Sequence, residues 1–205
     1  PAFKAGLFEV QDAASQAIAP LLEVKPGDRV IDACAGAGGK ALHLACLMKN
    51  KGKIIALDVH QWKLDELRRR ARRNQVDIIE TRLIDESKVL KRLHETADRV
   101  LLDVPCSGLG VLRRNPDAKW KLTLAELDRL RELQQQILSD YSRLTKPGGR
   151  LVYATCSVLP SENERQVKRF LETHPEWTLE QELHSRPHQG GHDGFYAARL
   201  ARAKP

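Results

Sequence analysis

The apolar pattern of this chain switches repeatedly between two periods, and that alternation restricts the fold more than any other feature. Short runs rich in β-branched and aliphatic residues, at positions 29–33, 53–58, 77–83, 99–103 and 150–155, read as strands. Between them, positions 40–49, 61–74, 87–95 and 124–144 carry the wider spacing of amphipathic helices. Strand, helix, strand in regular succession implies right-handed crossovers and a mostly parallel sheet with helices on both faces. The expected class is therefore α/β with a Rossmann-like layout. Ligands then bind where the strands end at their carboxyl tips. Positions 161–173 read as a further helix, with Ser161 as N-cap and Glu164 three residues on as a capping box. Positions 177–182 and 194–200 read as closing strands, with a Gly/Pro/His-rich loop at 184–193 between them.

The length of 205 residues suits one domain with a sizeable core, and no internal repeat or low-complexity linker divides it. Aromatics are only 5% of the chain, which favours an aliphatic core. No apolar stretch approaches the roughly 20 residues that a membrane span needs, and no secretory signal is visible, so a cytoplasmic location is expected; a monomer is expected as well. The chain starts at Pro1, which reads as a fragment whose upstream segment is missing. A net charge of +7 leans towards an anionic partner. Cys34, Cys46, Cys106 and Cys156 form no CxxC pair, and His184, His188 and His192 have no ligand-spaced partners, so no metal is expected.

The first strand runs into Cys34, Ala35, Gly36, Ala37, Gly38, Gly39 and Lys40, a loop of small residues opening a helix. Small side chains let backbone N–H groups approach a ligand, and a helix N-terminus favours negative charge. The glycine spacing excludes a Walker A loop and departs from GxGxxG. Asp58 ends the second strand, where a carboxylate can accept from ribose hydroxyls. This suits either a dinucleotide or S-adenosyl-L-methionine. Asp85, after the third strand, is a candidate to face an adenine.

Two further strand ends carry cysteines. The fourth runs into Asp103-Val104-Pro105-Cys106-Ser107-Gly108-Leu109-Gly110 and the fifth into Thr155-Cys156-Ser157. Such a set suits methylation of a cytosine ring carbon. Carbon 5 is a poor nucleophile until a thiolate adds to carbon 6, and an acid must offset charge arising at ring nitrogen 3, a role open to Asp103. A second thiol can assist release. Cys34 and Cys46 read instead as small core hydrophobes, Cys34 under the loop and Cys46 on a helix face with Leu42 and Ala45.

With these pieces in order, the chain resembles the NOL1/NOP2/Sun family of RNA 5-cytosine methyltransferases over nearly its whole length. The matching segments are Gly6–Asp12 with Ser15-Gln16, Asp32–Lys40, Asp103–Gly110, Asn115-Pro116-Asp117 with Lys119-Trp120, and Tyr153–Ser157 with Ser161-Glu162-Asn163-Glu164. The resemblance implies S-adenosyl-L-methionine as cofactor, attack by Cys156, product release assisted by Cys106, and Asp103 contacting both cofactor and base. It places Cys34–Lys40, Asp58 and Asp85 along the cofactor and gives Lys40 a part in orienting Asp103. Two departures stand out: Gly36-Ala37 where the family loop often has Ala-Pro, and Ile84-Asp85 where Gly-Asp is usual. Family members usually carry an upstream RNA-recognition region, which is absent from these residues.

For RNA contact the candidates are Arg113, Arg114, Lys119 and Trp120, close to the chemistry; Trp120 would either stack a base or anchor its loop. The arginine run from Arg68 to Arg73 reads as a solvated helix face. Ribosomal RNA is the first expected substrate and transfer RNA the second. The rival from another class is a non-catalytic RNA-binding or assembly factor on the same fold.

Overall fold

A computed structural model describes residues 2–84 and 88–204; Asp85 lies outside them. In chain order the elements are α1 (Ala13–Gln16), α2 (Ile18–Leu21), β1 (Arg29–Asp32), α3 (Gly39–Leu47), β2 (Lys53–Asp58), α4 (Gln61–Arg73), β3 (Ile79–Leu83) and α5 (Lys88–Arg92). There follow β4 (Ala97–Asp103), α6 (Ala118–Lys121), α7 (Leu124–Ser142), β5 (Thr145–Thr155), α8 (Glu164–Thr173), β6 (Trp177–Ser185) and β7 (Phe195–Arg202).

The strands form one sheet in the order β3-β2-β1-β4-β5-β7-β6. The first five are parallel, while β7 runs antiparallel between β5 and β6. The mostly parallel α/β architecture read from the sequence is therefore the one observed. The order steps outwards through β2 and β3 from β1, then reverses through β4 and β5. That reversal is the switch point where such sheets leave a crevice at their carboxyl edge.

Alternation along the central strands builds two cores at once. Val100 and Leu102 of β4, with Leu151 and Tyr153 of β5, pack on one face beneath Leu138 of α7 and Phe170 of α8. Leu101, Val152 and Ala154 point the other way, against Ile18, Leu44 and Ala45. Both faces are covered, which is why these strands read as unbroken apolar runs. Helix α4 is anchored by Leu64, Leu67 and Ala71, buried at helical spacing.

Several boundaries differ from the sequence reading. Strand β5 begins at Thr145 because Thr145 pairs with Ala97 before Gly148 and Gly149 interrupt the ladder. Strand β6 extends to Ser185, which puts His184 on a strand, edge-on to Tyr196 at 5.0 Å, and not in the loop. Ser161 is not an N-cap: α8 starts at Glu164, after Asn163, and no capping side chain is present. Ser161–Asn163 instead form a turn whose Glu162 and Asn163 side chains reach back towards the strand ends.

Candidate active site

A cleft of about 440 Å³ opens at the carboxyl ends of β1, β2, β4 and β5, lined among others by Cys34, Gly36, Lys40, Asp58, Asp103, Cys106, Arg114 and Cys156. Its size lies in the range that holds a ligand of nucleoside dimensions. A second groove of about 450 Å³ lies between α3 and residues 6–11. Among its lining side chains are His43 and Cys46, but not the clustered carboxylates and thiols of the first, so volume alone does not locate the chemistry.

The small-residue loop is fixed from three sides. Gly38 has a φ of 87°, and a Cβ there would come within 2.4 Å of the Leu67 side chain, so α4 can lie against the loop only because the position is glycine. Arg70 of α4 donates to the Ala37 carbonyl at 2.8 Å. Asp58 accepts from the Gly36 N–H at 2.9 Å and from the His60 N–H at 2.8 Å. The sequence places Arg70 on a solvated face. Arg68 and Arg69 do pair with Asp65 and Glu66 at the surface, but Arg70 and Arg73 turn inwards to Glu9, which tethers the N-terminal segment. Correcting the reading of this helix therefore adds Arg70 to the loop's supports.

Asp32, the last residue of β1, is fully buried, and its carboxylate has no side-chain hydrogen-bond partner, the Cys34 backbone N–H being the donor that faces it. Burial first, and then the charge of Asp103, push its pKa up to about 7, against the opposing pull of Lys40. Sequence reasoning missed this site residue. The available signal was a carboxylate closing the apolar run Val30-Ile31 of a central strand.

Asp103 ends β4 and takes a 2.5 Å ion pair from Lys40, whose ammonium also sits 5.3 Å from the centre of the Phe195 ring. Burial works against the Lys40 charge, but Asp103 outweighs it and raises the Lys40 pKa. The pair sets the Lys40 ammonium against Asp103 in the cleft.

Three of the four cysteines face this cleft, and their environments differ. Cys106 and Cys156 lie 3.2 Å apart, sulfur to sulfur. The contact with the Cys106 sulfur lowers the pKa of Cys156, helped by Lys40 and opposed by burial and Asp103. The same contact, with burial, pushes Cys106 up. Burial and the charge of Asp32 push Cys34 up as well. Of the three, Cys156 alone has its pKa lowered. Cys46 is corrected: it is exposed while Leu42 and Ala45 beside it are buried, because one further residue of helix turns it outwards.

The loops carrying the two sulfurs are tied together. The Gly110 N–H donates to the Cys156 carbonyl at 3.0 Å and the Gly194 N–H to the Gly110 carbonyl at 2.8 Å. A Cβ on Gly110 would fall 2.0 Å from the Gly194 carbonyl oxygen, so only glycine permits this approach. Gln134, buried on α7, donates to the Pro105 carbonyl and to Glu162, both at 2.9 Å. It too escaped the sequence reading, although a glutamine on the Leu127-Leu130-Leu138 stripe is a visible anomaly.

The proposed RNA contacts separate. Trp120 is 80% exposed with the Lys119 ammonium 4.8 Å from its ring centre, so it is not a loop anchor. Arg114 is engaged by the buried Asp193, and Arg113 donates to the Gly191 carbonyl at 2.8 Å. Those two arginines hold the 186–193 loop. No helix among the described residues is long and apolar enough to cross a membrane.

Comparison with known proteins agrees with this geometry. A probable ribosomal RNA small subunit methyltransferase B from Synechocystis is 40% identical over 99% of this chain and 49% of its own length. One from Bacillus subtilis is 37% identical over 95% of the chain and 47% of its own. The chain thus spans about half the length of these relatives. The crystal structure of NSun6 from Pyrococcus horikoshii with SFG superposes with a TM-score of 0.90 at 31% identity, covering 100% of this chain and 55% of that one. The profile described as 16S rRNA methyltransferase RsmB/F matches residues 19–201, and the chain belongs to that family.

Proposed function

We propose that this chain is the catalytic part of an S-adenosyl-L-methionine-dependent enzyme that methylates carbon 5 of cytosine in ribosomal RNA, through a covalent bond to Cys156. The observation that carries the reading is the meeting of two thiols, Cys156 and Cys106, at 3.2 Å in one cleft with the Asp103–Lys40 pair, the Cys156 pKa being lowered and the Cys106 pKa raised. The names of the curated relatives favour ribosomal RNA over transfer RNA.

The residues present fit the cofactor. S-adenosyl-L-methionine bears a sulfonium and an α-ammonium, and the buried Asp32 carboxylate, when ionised, adds negative potential behind the loop. Asp58, held by two backbone N–H groups, keeps lone pairs for ribose hydroxyls. Gly36 leaves open space where a Cβ would stand. These residues would hold the cofactor, which supplies the methyl group on its positive sulfur.

The chain's own groups then do the rest. The Cys156 thiolate adds to carbon 6, and the Asp103–Lys40 pair, with its proton on Lys40, offsets charge developing at nitrogen 3. Carbon 5, now enamine-like, takes the methyl group. A base takes the carbon 5 proton, the carbon 5–carbon 6 double bond re-forms, and the Cys156 sulfur leaves with the bond's electron pair, the Cys106 thiol 3.2 Å away being placed to donate to it. A DNA-type mechanism with attack by the Pro-Cys cysteine would need the opposite bias between the two thiols. Exposed Trp120 offers a stacking face for an unpaired base beside the target. The site of action would be the cytoplasm.

Transfer of labelled methyl groups to unmodified ribosomal and transfer RNA, followed by nucleoside analysis, tests this. Wild type is expected to form 5-methylcytidine in ribosomal RNA, and Cys156→Ala to form none. Labelling of another nucleoside, or undiminished labelling by Cys156→Ala, would overturn the reading.

A further inference from the structure

Glu162 is a fully buried carboxylate to which neither the comparisons nor the mechanism above gives a role. It lies in the turn before α8, yet its side chain ends between the two loops that carry the cysteines. One oxygen accepts from the Ser107 N–H at 2.8 Å and from Gln134 Nε2 at 2.9 Å. The other accepts from the Ser107 and Ser157 hydroxyls, each at 2.5 Å. Ser107 follows Cys106 and Ser157 follows Cys156, so a single carboxylate bridges the residues next to both sulfurs. Its base is rigid: Tyr153 donates to the Glu162 carbonyl at 2.7 Å, and Asn163 holds Thr155 and the Ser157 carbonyl.

The bridge has two consequences. Each loop is fixed relative to the other, which sets the distance between the sulfurs. After the contact with Cys156 and burial, the Glu162 charge also adds to what disfavours a thiolate at Cys106. A neutral packing residue would do neither. A carboxylate accepts four hydrogen bonds and donates none, which matches its four donors; an amide would aim its NH₂ at other donors.

We infer that Glu162 is a positioning residue, resting on the reaction proposed above, that clamps the Cys106 and Cys156 loops together and so fixes the contact between the two sulfurs. The test is Glu162→Gln in the full chain. Iodoacetamide alkylation across about pH 6–9, mapped by peptide mass spectrometry, reads each cysteine without RNA. Wild type should alkylate Cys156 well before Cys106, and the variant should lose about tenfold of that selectivity, the scale of a one-unit relative pKa change. With RNA, kcat should fall about 10- to 100-fold, the scale of sub-ångström misplacement, while the KM for RNA stays within about threefold.

A residue that only supports the fold would lower the melting temperature and leave both the selectivity and the kcat-to-KM pattern unchanged; that result overturns the inference. If Glu162→Gln does not fold, Ser107→Ala combined with Ser157→Ala cuts two anchors and keeps the charge. Unchanged kcat in that protein overturns the clamp. Lost alkylation selectivity in Glu162→Gln, beside a wild type that methylates no RNA, would support the clamp and contradict the proposed function.

Discussion

Asp32 shows how one residue can couple cofactor, pH and stability. An unfolded aspartate ionises near ~3.9, whereas burial and then Asp103 hold this one at about 7. Between those values the folded protein keeps a proton that the unfolded chain has released. Its contribution to stability is therefore complete below the unfolded pKa and is lost as pH rises through about 7. In ligand-free melts from about pH 5.5 to 8, Asp32→Asn should lose less melting temperature than wild type. Equal slopes would contradict the assignment. Trp120, 80% exposed under a lysine ammonium, makes a prediction of another kind. Trp120→Ala should weaken RNA binding by about 1–3 kcal/mol, the worth of one stacked base, with cofactor affinity unchanged in calorimetry. Unaltered RNA binding would remove Trp120 from the contact surface.

Among the elements, α8 matters beyond its size because the turn before it carries Glu162 and Asn163 to the site. Its hold on the sheet is Phe170, fully buried, stacked on His174 at 4.1 Å and edge-on to Trp177 at 5.9 Å. Phe170→Ala should cost about 3–5 kcal/mol by urea denaturation, with residual activity falling further than the folded fraction as the clamp loosens. A loss under about 1 kcal/mol would show that α8 is held by other contacts. The helix itself was legible from its amphipathic spacing, but its start was not. Ser161 and Glu164 have the spacing of a capping box, and nothing local reveals that Glu162 and Asn163 are bound to partners some 5 to 55 residues away. The same limit hid the inward turn of Arg70 and Arg73, whose partner Glu9 lies more than 60 residues upstream. Trp120 and Cys46 fell on the exposed side for a related reason: spacing says which residues share a helix face, while tertiary packing decides how much of that face is covered.

For the molecule as a whole, the order β3-β2-β1-β4-β5 determines which segments can meet. Cys34, Asp58, Asp103, Cys106 and Cys156 span more than half the chain, yet each follows or ends a parallel strand, and their convergence at one edge was legible once the alternation of strands and helices was read. What alternation could not supply was the difference between the thiols, which depends on distances of a few ångströms among Cys106, Cys156, Lys40 and Asp103. That difference is the centre of the account, and its most direct test is to stop the reaction after attack. Cys106→Ala, incubated with ribosomal RNA and S-adenosyl-L-methionine and run on a denaturing gel, should show an RNA-dependent shifted band of covalent adduct, lost when Cys156→Ala is added. No shifted band with undiminished methylation, or a band that survives without Cys156, would contradict the roles given to the two cysteines.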